Sequence, residues 1–108
     1  MDIQIKRGLL DVCVLSALRW HESYGYRIVK SVKPYVEISE STLYPILKRL
    51  ENAGQVTVRS AEHNGRLRKY YSITENGIEK IKAFNNEWSE IIAVYNFVNR
   101  EEDENEEE

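Results

Sequence analysis

Cationic side chains are concentrated in the middle of the sequence. Residues 27–69 carry nine Lys or Arg residues against four Glu residues, a net charge of +5. Clustered cations bind phosphate oxygens through charge and hydrogen bonds, and nearby hydroxyl and aromatic side chains add contacts of their own. The sequence therefore predicts a phosphate-binding surface drawn from Tyr24, Lys30, Ser41, Thr42, Tyr44, Lys48, Arg49, Arg66, Arg68 and Lys69.

The net charge of the whole chain, −3, conceals this basic segment because the C-terminal residues are strongly acidic. Residues 100–108 hold seven acidic residues and one basic residue, so they contribute −6 and leave +3 for residues 1–99. Runs of like charge usually stay solvated, since they repel one another and bury no apolar surface. We expect residues 100–108 to form an acidic, disordered tail.

Residues that could do other chemistry are few. Cys13 is the single cysteine and lies in an apolar run, which indicates a small buried hydrophobic residue rather than a nucleophile. His21 and His63 have no partners at metal-ligand spacing, and the sequence has no glycine-rich phosphate loop. We therefore expect no enzyme activity, no metal and no cofactor.

Length and hydropathy limit the location of the protein. A chain of 108 residues can bury one hydrophobic core. No apolar run approaches the roughly 18 residues that cross a bilayer, and residues 1–7 lack the pattern of a cleaved signal. We expect a cytoplasmic protein with no membrane association.

The elements that must position the cations begin with two helices. The residues from Ile5 to Trp20 are apolar on nearly every side, which indicates a buried helix. A short amphipathic helix follows from Tyr24 to Val32 and should end before Pro34. The pattern of this part of the chain therefore predicts helix, turn, helix.

A third helix is predicted between Ser39, an N-cap residue, and Gly54, a C-terminal stop. Pro45 conflicts with it, because proline removes a backbone hydrogen bond, so either the helix begins later than Ser39 or it bends. The apolar positions recur at i, i+3, i+4 and i+7 and must face the core: Leu43, Ile46, Leu47 and Leu50.

A β-hairpin is predicted next. Gln55–Arg59 alternates as a strand does, Asn64–Gly65 is a tight-turn pair, and Arg68–Ile73 forms the return strand. A two-stranded hairpin is marginal alone, so it must pack on the helices. The cations at its tip and returning edge suit phosphate binding and protection of an exposed strand edge equally well.

The last helix should run from the N-cap Thr74 to about Asn99. A helix of about 25 residues spans roughly 37 Å, which is longer than a core of this size can cover. A second copy of the chain is the simplest partner, because most soluble oligomers are symmetric homodimers. The heptad seam that it would cover consists of Ile81, Phe84, Trp88, Ile91, Tyr95 and Val98.

Three helices followed by a charged hairpin make a winged helix-turn-helix, and particular residues in it resemble the PadR family of transcriptional regulators. The similarity covers most of residues 9–78. It is carried by the segment Tyr24-Gly25-Tyr26, by residues 41–51 (STLYPILKRLE) with Gly54, and by residues 65–75 (GRLRKYYSITE) with Gly77. The sequence departs from the family at Arg66-Leu67-Arg68, where a proline between the arginines is common.

The expected fold is mainly α with a small β-hairpin: a winged helix-turn-helix in residues 1–73, a long dimerisation helix in 74–99 and the acidic tail in 100–108. The single C-terminal helix is similar to that of the short PadR subclass. In that subclass the last helix packs against the partner's first and last helices, which adds Leu9 to the expected dimer interface. The resemblance also implies repression as the usual mode of action.

The expected mechanism places the third helix in the major groove of double-stranded DNA. Ser41, Thr42, Tyr44 and Lys48 would lie near base edges or phosphates, with Arg49 toward the backbone. The wing would hold flanking phosphates through Arg66, Arg68 and Lys69, with Lys30 a weaker candidate. A two-fold dimer would read an inverted repeat whose half-sites are roughly 10 base pairs apart, or a multiple of that. Tyr24 and Tyr44 have core or edge packing as the alternative role.

Two further hypotheses concern other partners. Trp88 on the dimer seam could stack on a flat aromatic or apolar effector, or it could simply form interface core. The competing function is a winged helix that binds proteins without contacting DNA. The net negative charge and the tail favour that function, and the clustered cations oppose it.

Overall fold

The computed structural model describes residues 1–102, in which four helices and one hairpin make the predicted mainly α, winged helix-turn-helix fold. Residues 103–108, which hold most of the predicted acidic tail, lie outside the described residues. The elements in chain order are α1 (Ile3–Ala17), α2 (Gly25–Val32), α3 (Glu40–Asn52), β1 (Val56–His63), β2 (Arg66–Ile73) and α4 (Glu75–Val98).

The core lies between α1, α2, α3 and the base of the hairpin. The predicted stripe of α3 is buried, as are Leu15 and Leu18 from α1 and Ile28 from α2. The expectation that α1 is buried on nearly every side is wrong at its N-terminal end, because Ile5 is 57 % exposed in the first turn. The core is too short to cover that end. At the other end α1 stops at Ala17, and the predicted end residue, Trp20, is exposed.

Local capping sets the position of α3. The Ser39 hydroxyl accepts a hydrogen bond from the Thr42 amide at 3.3 Å, and Gly54 adopts a positive φ of 72° just past the end of the helix. The helix therefore begins at Glu40, and the alternative of a later start is wrong. Pro45 lies inside the helix on its exposed side.

The hairpin is longer than predicted. Pairing runs without interruption from Val56 opposite Ile73 to His63 opposite Arg66. The two-residue turn between the strands has positive φ at both positions, 51° and 79°, which matches the twist of the strands. The predicted strands are shorter because most of the outer residues, 60–63 and 66–67, are polar and show no regular alternation. At its base, the hairpin is fastened to the α1–α2 turn, where Ser23 pairs with Tyr71 through hydrogen bonds of 3.0 and 2.7 Å.

The long helix α4 starts where the hairpin ends. The Thr74 hydroxyl accepts from the Gly77 amide at 3.2 Å and donates to the Gly54 carbonyl at 2.6 Å, so one side chain joins the beginning of α4 to the end of α3. The first turns of α4 pack on α1 and β2. From Asn85 onward every described residue is exposed, and the molecule is accordingly elongated, 72 × 26 × 22 Å.

Gly77 is expected to be essential for this junction. A Cβ at this position would overlap the Gln55 carbonyl oxygen and lie 2.6 Å from Cγ1 of Ile73. Although alanine favours a helix over glycine by about 1 kcal/mol, Gly77→Ala should lower the free energy of unfolding by about 2 kcal/mol, as overpacking does. Urea unfolding measures this. Asn76→Ala, at the exposed neighbouring position, is the control and should change stability by less than about 0.5 kcal/mol; equal effects of the two substitutions would contradict the packing argument.

Candidate nucleic-acid interface

A groove separates the hairpin from the starts of α2 and α3. Its volume is about 600 Å³ and it opens to solvent along its length. The helix wall carries tyrosines, and the hairpin wall carries cations, with Glu40 as an acidic residue on the helix side. The lining residues are Tyr24, Gly25, Tyr26, Glu40, Tyr44, His63, Asn64, Arg66, Leu67, Arg68, Lys69 and Tyr71.

Tyr44 stands at the helix wall because Gly25 leaves room for it. A Cβ on Gly25 would lie 2.5 Å from the Tyr44 hydroxyl oxygen and 3.0 Å from its Cζ. The first residue of α2 and the outward face of α3 are therefore in close contact. The Tyr44 ring is 48 % exposed, so it is supported from below and open to a ligand from above.

The three cations of the hairpin divide between its two faces. Since side chains alternate along a strand, Arg66 and Arg68 share one face of β2, and Lys69 lies on the other with Leu67. Tyr71 is on the Lys69 face and is buried, which identifies that face as the one directed at the core. The sequence grouped these cations as one cluster, but they reach the groove from two directions.

Arg68 is held by aromatic rings. Its guanidinium lies 3.8 Å from the centre of the Tyr24 ring, and Tyr24 meets Tyr70 edge to face at 5.9 Å. On the other side of Tyr70, Arg59 stacks at 4.8 Å and pairs with Glu22 in the α1–α2 turn. Such contacts contribute about 0.5–1 kcal/mol each at exposed sites. They form a continuous series of side-chain contacts, from Arg68 through Tyr24 and Tyr70 to Arg59, that orients the Arg68 guanidinium.

Two side chains near the groove, Glu22 and Tyr71, have shifted pKa values. Hydrogen bonding to Arg59 lowers the pKa of the Glu22 carboxyl, so this ion pair persists well into the acidic range. Burial raises the pKa of the Tyr71 hydroxyl, with Tyr44 and Glu51 adding to the effect, which keeps the phenol neutral beneath the groove.

The exposed side of α3 carries its own polar groups. The Ser39 hydroxyl lies 3.0 Å from that of Ser41 and 3.1 Å from that of Thr42, so the three form one cluster at the helix start. Lys48 projects from the same side with 73 % of its side chain exposed, 3.9 Å from Glu51. Base edges or phosphates could reach all of these groups without any change in the fold.

A second feature is an apolar surface along α4. Exposure along the predicted seam rises from Ile81 and Phe84, which are partly buried, to 42 % at Trp88 and 65 % at Tyr95. Phe84 and Trp88 stack in parallel, with centroids 5.9 Å apart. They border a groove of about 370 Å³ between α1 and α4, to which Leu9 also contributes.

Comparison with known proteins assigns the family. Residues 14–83 match the Transcriptional regulator PadR-like family. The chain belongs to the PadR-like family. Its members are transcription regulators and not enzymes. No curated protein matches the sequence closely enough to count as a relative.

Several solved structures are similar to this chain over most of its length. The protein smu.1704 of Streptococcus mutans UA159 is 38 % identical, with a TM-score of 0.75 over 90 % of this chain and 94 % of that one. The transcriptional regulator Cth-833 of Clostridium thermocellum is 35 % identical, with a TM-score of 0.78 over 90 % and 99 %. Bacillus subtilis PadR in complex with operator DNA, 23 % identical, shares the fold with a TM-score of 0.64 over 93 % and 52 %.

The structure of this PadR-like protein brings only part of the predicted surface together. Tyr24, Tyr44, Arg66, Arg68 and Lys69 line one groove. The helix-face groups Ser41, Thr42 and Lys48 lie outside its lining, on exposed α3. Lys30 is exposed on α2 and is not part of the lining either.

Arg49 is placed differently from the prediction. Its guanidinium turns toward α1 and pairs with Asp11, a buried carboxylate. In this orientation the guanidinium is directed at α1, so the predicted contact with the DNA backbone would require the side chain to leave Asp11. A lone acidic residue in the apolar run of α1 is the sequence signal that could have revealed this pairing, since buried carboxylates are nearly always paired.

Other predicted features are placed as follows. Cys13 is half-buried against the core, and burial raises the pKa of its thiol, which disfavours the reactive thiolate. Groups of histidine, cysteine and carboxylate side chains that could hold a metal ion are absent from residues 1–102. No helix in that range has the length and apolar character that a membrane crossing requires.

The contact between Gly25 and Tyr44 can be tested with a double-mutant cycle. Gly25→Ala should lower the free energy of unfolding by about 1 kcal/mol in the wild-type chain, because the new methyl group displaces the ring. In the Tyr44→Ala background, where the obstructing ring is gone, the same change should cost almost nothing. Urea unfolding of the four proteins gives the coupling. An equal cost in both backgrounds would show that Gly25 serves some purpose other than making room for Tyr44.

Proposed function

We propose that this protein is a homodimeric transcriptional repressor that binds an inverted-repeat operator in double-stranded DNA. Residues 1–73 form the DNA-reading domain and residues 74–99 the dimerisation helix. The observation that carries the proposal is the alignment of two surfaces, the exposed polar side of α3 and the cationic hairpin, on either side of a solvent-open groove.

The polar side of α3 supports a reading role. A helix that enters the major groove presents side chains that can hydrogen-bond to base edges and phosphates. Ser41, Thr42, Tyr44 and Lys48 have such side chains, and all four are exposed. The buried stripe on the opposite side holds the helix in one rotational setting.

The cations of the hairpin support a role in binding the phosphate backbone of DNA. Phosphate contacts position a protein on DNA without reading its sequence. Arg66 and Lys69 project from the hairpin into solvent, and Arg68 is pre-oriented by Tyr24. Tyr24 acts here mainly as the support for Arg68, and Lys30 contributes at most long-range charge.

The α4 surface supports dimerisation. Contiguous apolar patches on soluble proteins usually mark interaction sites, and the last two turns of α4 expose Ile91, Ile92, Tyr95, Phe97 and Val98 together. A second copy of α4, joined by the partner's α1 at Leu9, would cover this surface. Two such chains would place two α3 helices about one two-fold axis, which an inverted repeat matches.

The groove between α1 and α4 supports an effector site. Its lining is largely apolar, and the stacked Phe84 and Trp88 rings provide a flat surface for an aromatic or apolar molecule. Such an effector would release DNA only by favouring one arrangement of the two reading helices, because equal affinity for both arrangements shifts nothing.

DNA binding through this surface predicts a specific salt dependence. Removing one cation that binds a phosphate should reduce the slope of log K against log salt by about one. Lys48→Ala combined with Arg66→Ala should therefore lower affinity and flatten the slope by about two for each half-site. Fluorescence anisotropy with a duplex that the wild-type protein selects from a random library, at several salt concentrations, measures both quantities.

Lys82→Ala is the matched control for that measurement. Lys82 is an exposed cation of α4 that pairs with Glu79, away from the groove. Its removal should leave affinity and slope unchanged. Selection of no preferred duplex by the wild-type protein, or equal effects of the control and the double variant, would favour a protein-interaction module instead.

The dimer can be tested by placing a charge on the seam. Ile91 is 51 % exposed within the single chain, so Ile91→Glu should leave the fold of the chain intact and dissociate the dimer. The dissociation constant should rise at least about 100-fold, an effect of about 3 kcal/mol. Sedimentation equilibrium measures it. Asn86→Glu adds the same charge on the polar side of α4, away from the seam, and should leave the dimer unchanged; a monomeric wild-type chain would refute the proposal.

A further inference from the structure

A buried carboxylate connects the two helices on which the proposed function depends. Asp11 of α1 is 7 % exposed. Its Oδ1 accepts a hydrogen bond from Nη2 of Arg49 in α3, and its Oδ2 lies 3.4 Å from Nζ of Lys80 in α4. One side chain therefore makes ionic contacts with both the reading helix and the dimerisation helix.

The packing of the helices makes this position special. α3 packs on α1, α2 and β1, whereas α4 packs on α1 and β2. α1 is therefore the helix against which both α3 and α4 are set. Among residues 1–102, the other ion pairs lie within one helix (Lys48–Glu51 and Lys82–Glu79) or join the hairpin to the α1–α2 turn (Arg59–Glu22).

The node formed by Asp11, Arg49 and Lys80 consists of one carboxylate between two cationic side chains. A buried carboxylate is costly unless charged partners and hydrogen bonds surround it, so Asp11 holds both cations in place. The guanidinium of Arg49 donates in a fixed plane, which adds a directional contact between α3 and α1 to the packing of the buried leucines. Arg49 and Lys80 each keep about a third of the side chain exposed, 38 % and 35 %, so either could turn to solvent if the carboxylate were removed.

We propose that Asp11 is a positioning residue that fixes α3 relative to α4 and thereby sets which spacing between operator half-sites the dimer accepts. The inference rests on the proposed function. In a dimer joined through α4, the distance and angle between the two reading helices follow from the arrangement of α3 and α4 within each chain. Loosening the Asp11 node should leave each half-site readable and broaden the spacings that both helices can reach.

The test compares two duplexes. The first is the one that the wild-type protein selects from a random library, and the second carries one additional base pair between the half-sites, which shifts one of them by about 3.4 Å and rotates it by roughly 35°. For the wild type, the insertion should weaken binding at least about tenfold. For Asp11→Asn the loss of affinity should be no more than about threefold, because the neutral amide lacks the negative charge and replaces one of the two acceptor oxygens with an NH2 donor.

The ratio of the two affinities separates positioning from stability. A substitution that merely lowered the folded fraction would weaken both duplexes equally and leave the ratio unchanged. Lys80→Met removes only the ionic contact between Asp11 and α4. It should reduce the ratio of the two affinities as Asp11→Asn does, and the double variant should show no further reduction. Glu22→Gln removes an ion pair of the hairpin and should keep the wild-type ratio.

A wild-type ratio in both Asp11→Asn and Lys80→Met would overturn the inference. Lys80→Met also keeps the inference testable if Asp11→Asn fails to fold, because the lysine side chain is 35 % exposed and its loss leaves the pair of Asp11 and Arg49 intact. Failure of the proposed function has a different signature: the wild-type protein itself would select no duplex, or would sediment as a monomer, and the inference would fall with it.

Discussion

Complete burial of the α3 stripe is the constraint on which the reading surface depends. Leu43, Leu47 and Leu50 are each at most 1 % exposed, and a fully buried leucine contributes roughly 1.5–3 kcal/mol. Rotation of α3 by even a quarter turn would expose part of that stripe. The residues between these positions are therefore forced outward together, and the polar side needs no interactions of its own to be displayed. The core sets which side chains a ligand meets.

Features fixed by neighbouring residues were predictable from the sequence. The caps at Ser39 and Thr74, the positive-φ glycine at Gly54 and the tight turn at Asn64–Gly65 all depend on a few adjacent residues, and each lies where it was predicted. The seam of α4 was predictable for a different reason. A 24-residue helix cannot bury both ends against a core of this size, so its apolar residues must face something else or remain exposed.

Features fixed by contacts across the fold were not predictable in the same way. Arg49 lies on the outward side of α3 by sequence, yet its long side chain reaches Asp11, 38 positions away. Periodicity gives the direction of Cβ and says nothing about where a guanidinium several bonds further comes to rest. The support of Arg68 by Tyr24 is of the same kind, because the two residues meet only after the hairpin has folded back on α2. The resemblance to the PadR family rests on a combination of motifs, and these motifs carry no information on such pairings.

The two halves of the candidate surface are held by interactions of different strength, and this difference bears on what each can do. α3 is fixed by several buried leucines, whereas the hairpin beyond its base is held to α2 by stacking contacts of about 0.5–1 kcal/mol each. A rigid helix can discriminate between bases, because a misplaced donor or acceptor costs about 1–3 kcal/mol for each wrong base pair. A cation on a more compliant hairpin can follow a phosphate through small changes in DNA shape and stay bound to it. In the proposed complex with DNA, sequence recognition therefore belongs to α3, and the hairpin adds affinity that depends on salt and little on sequence.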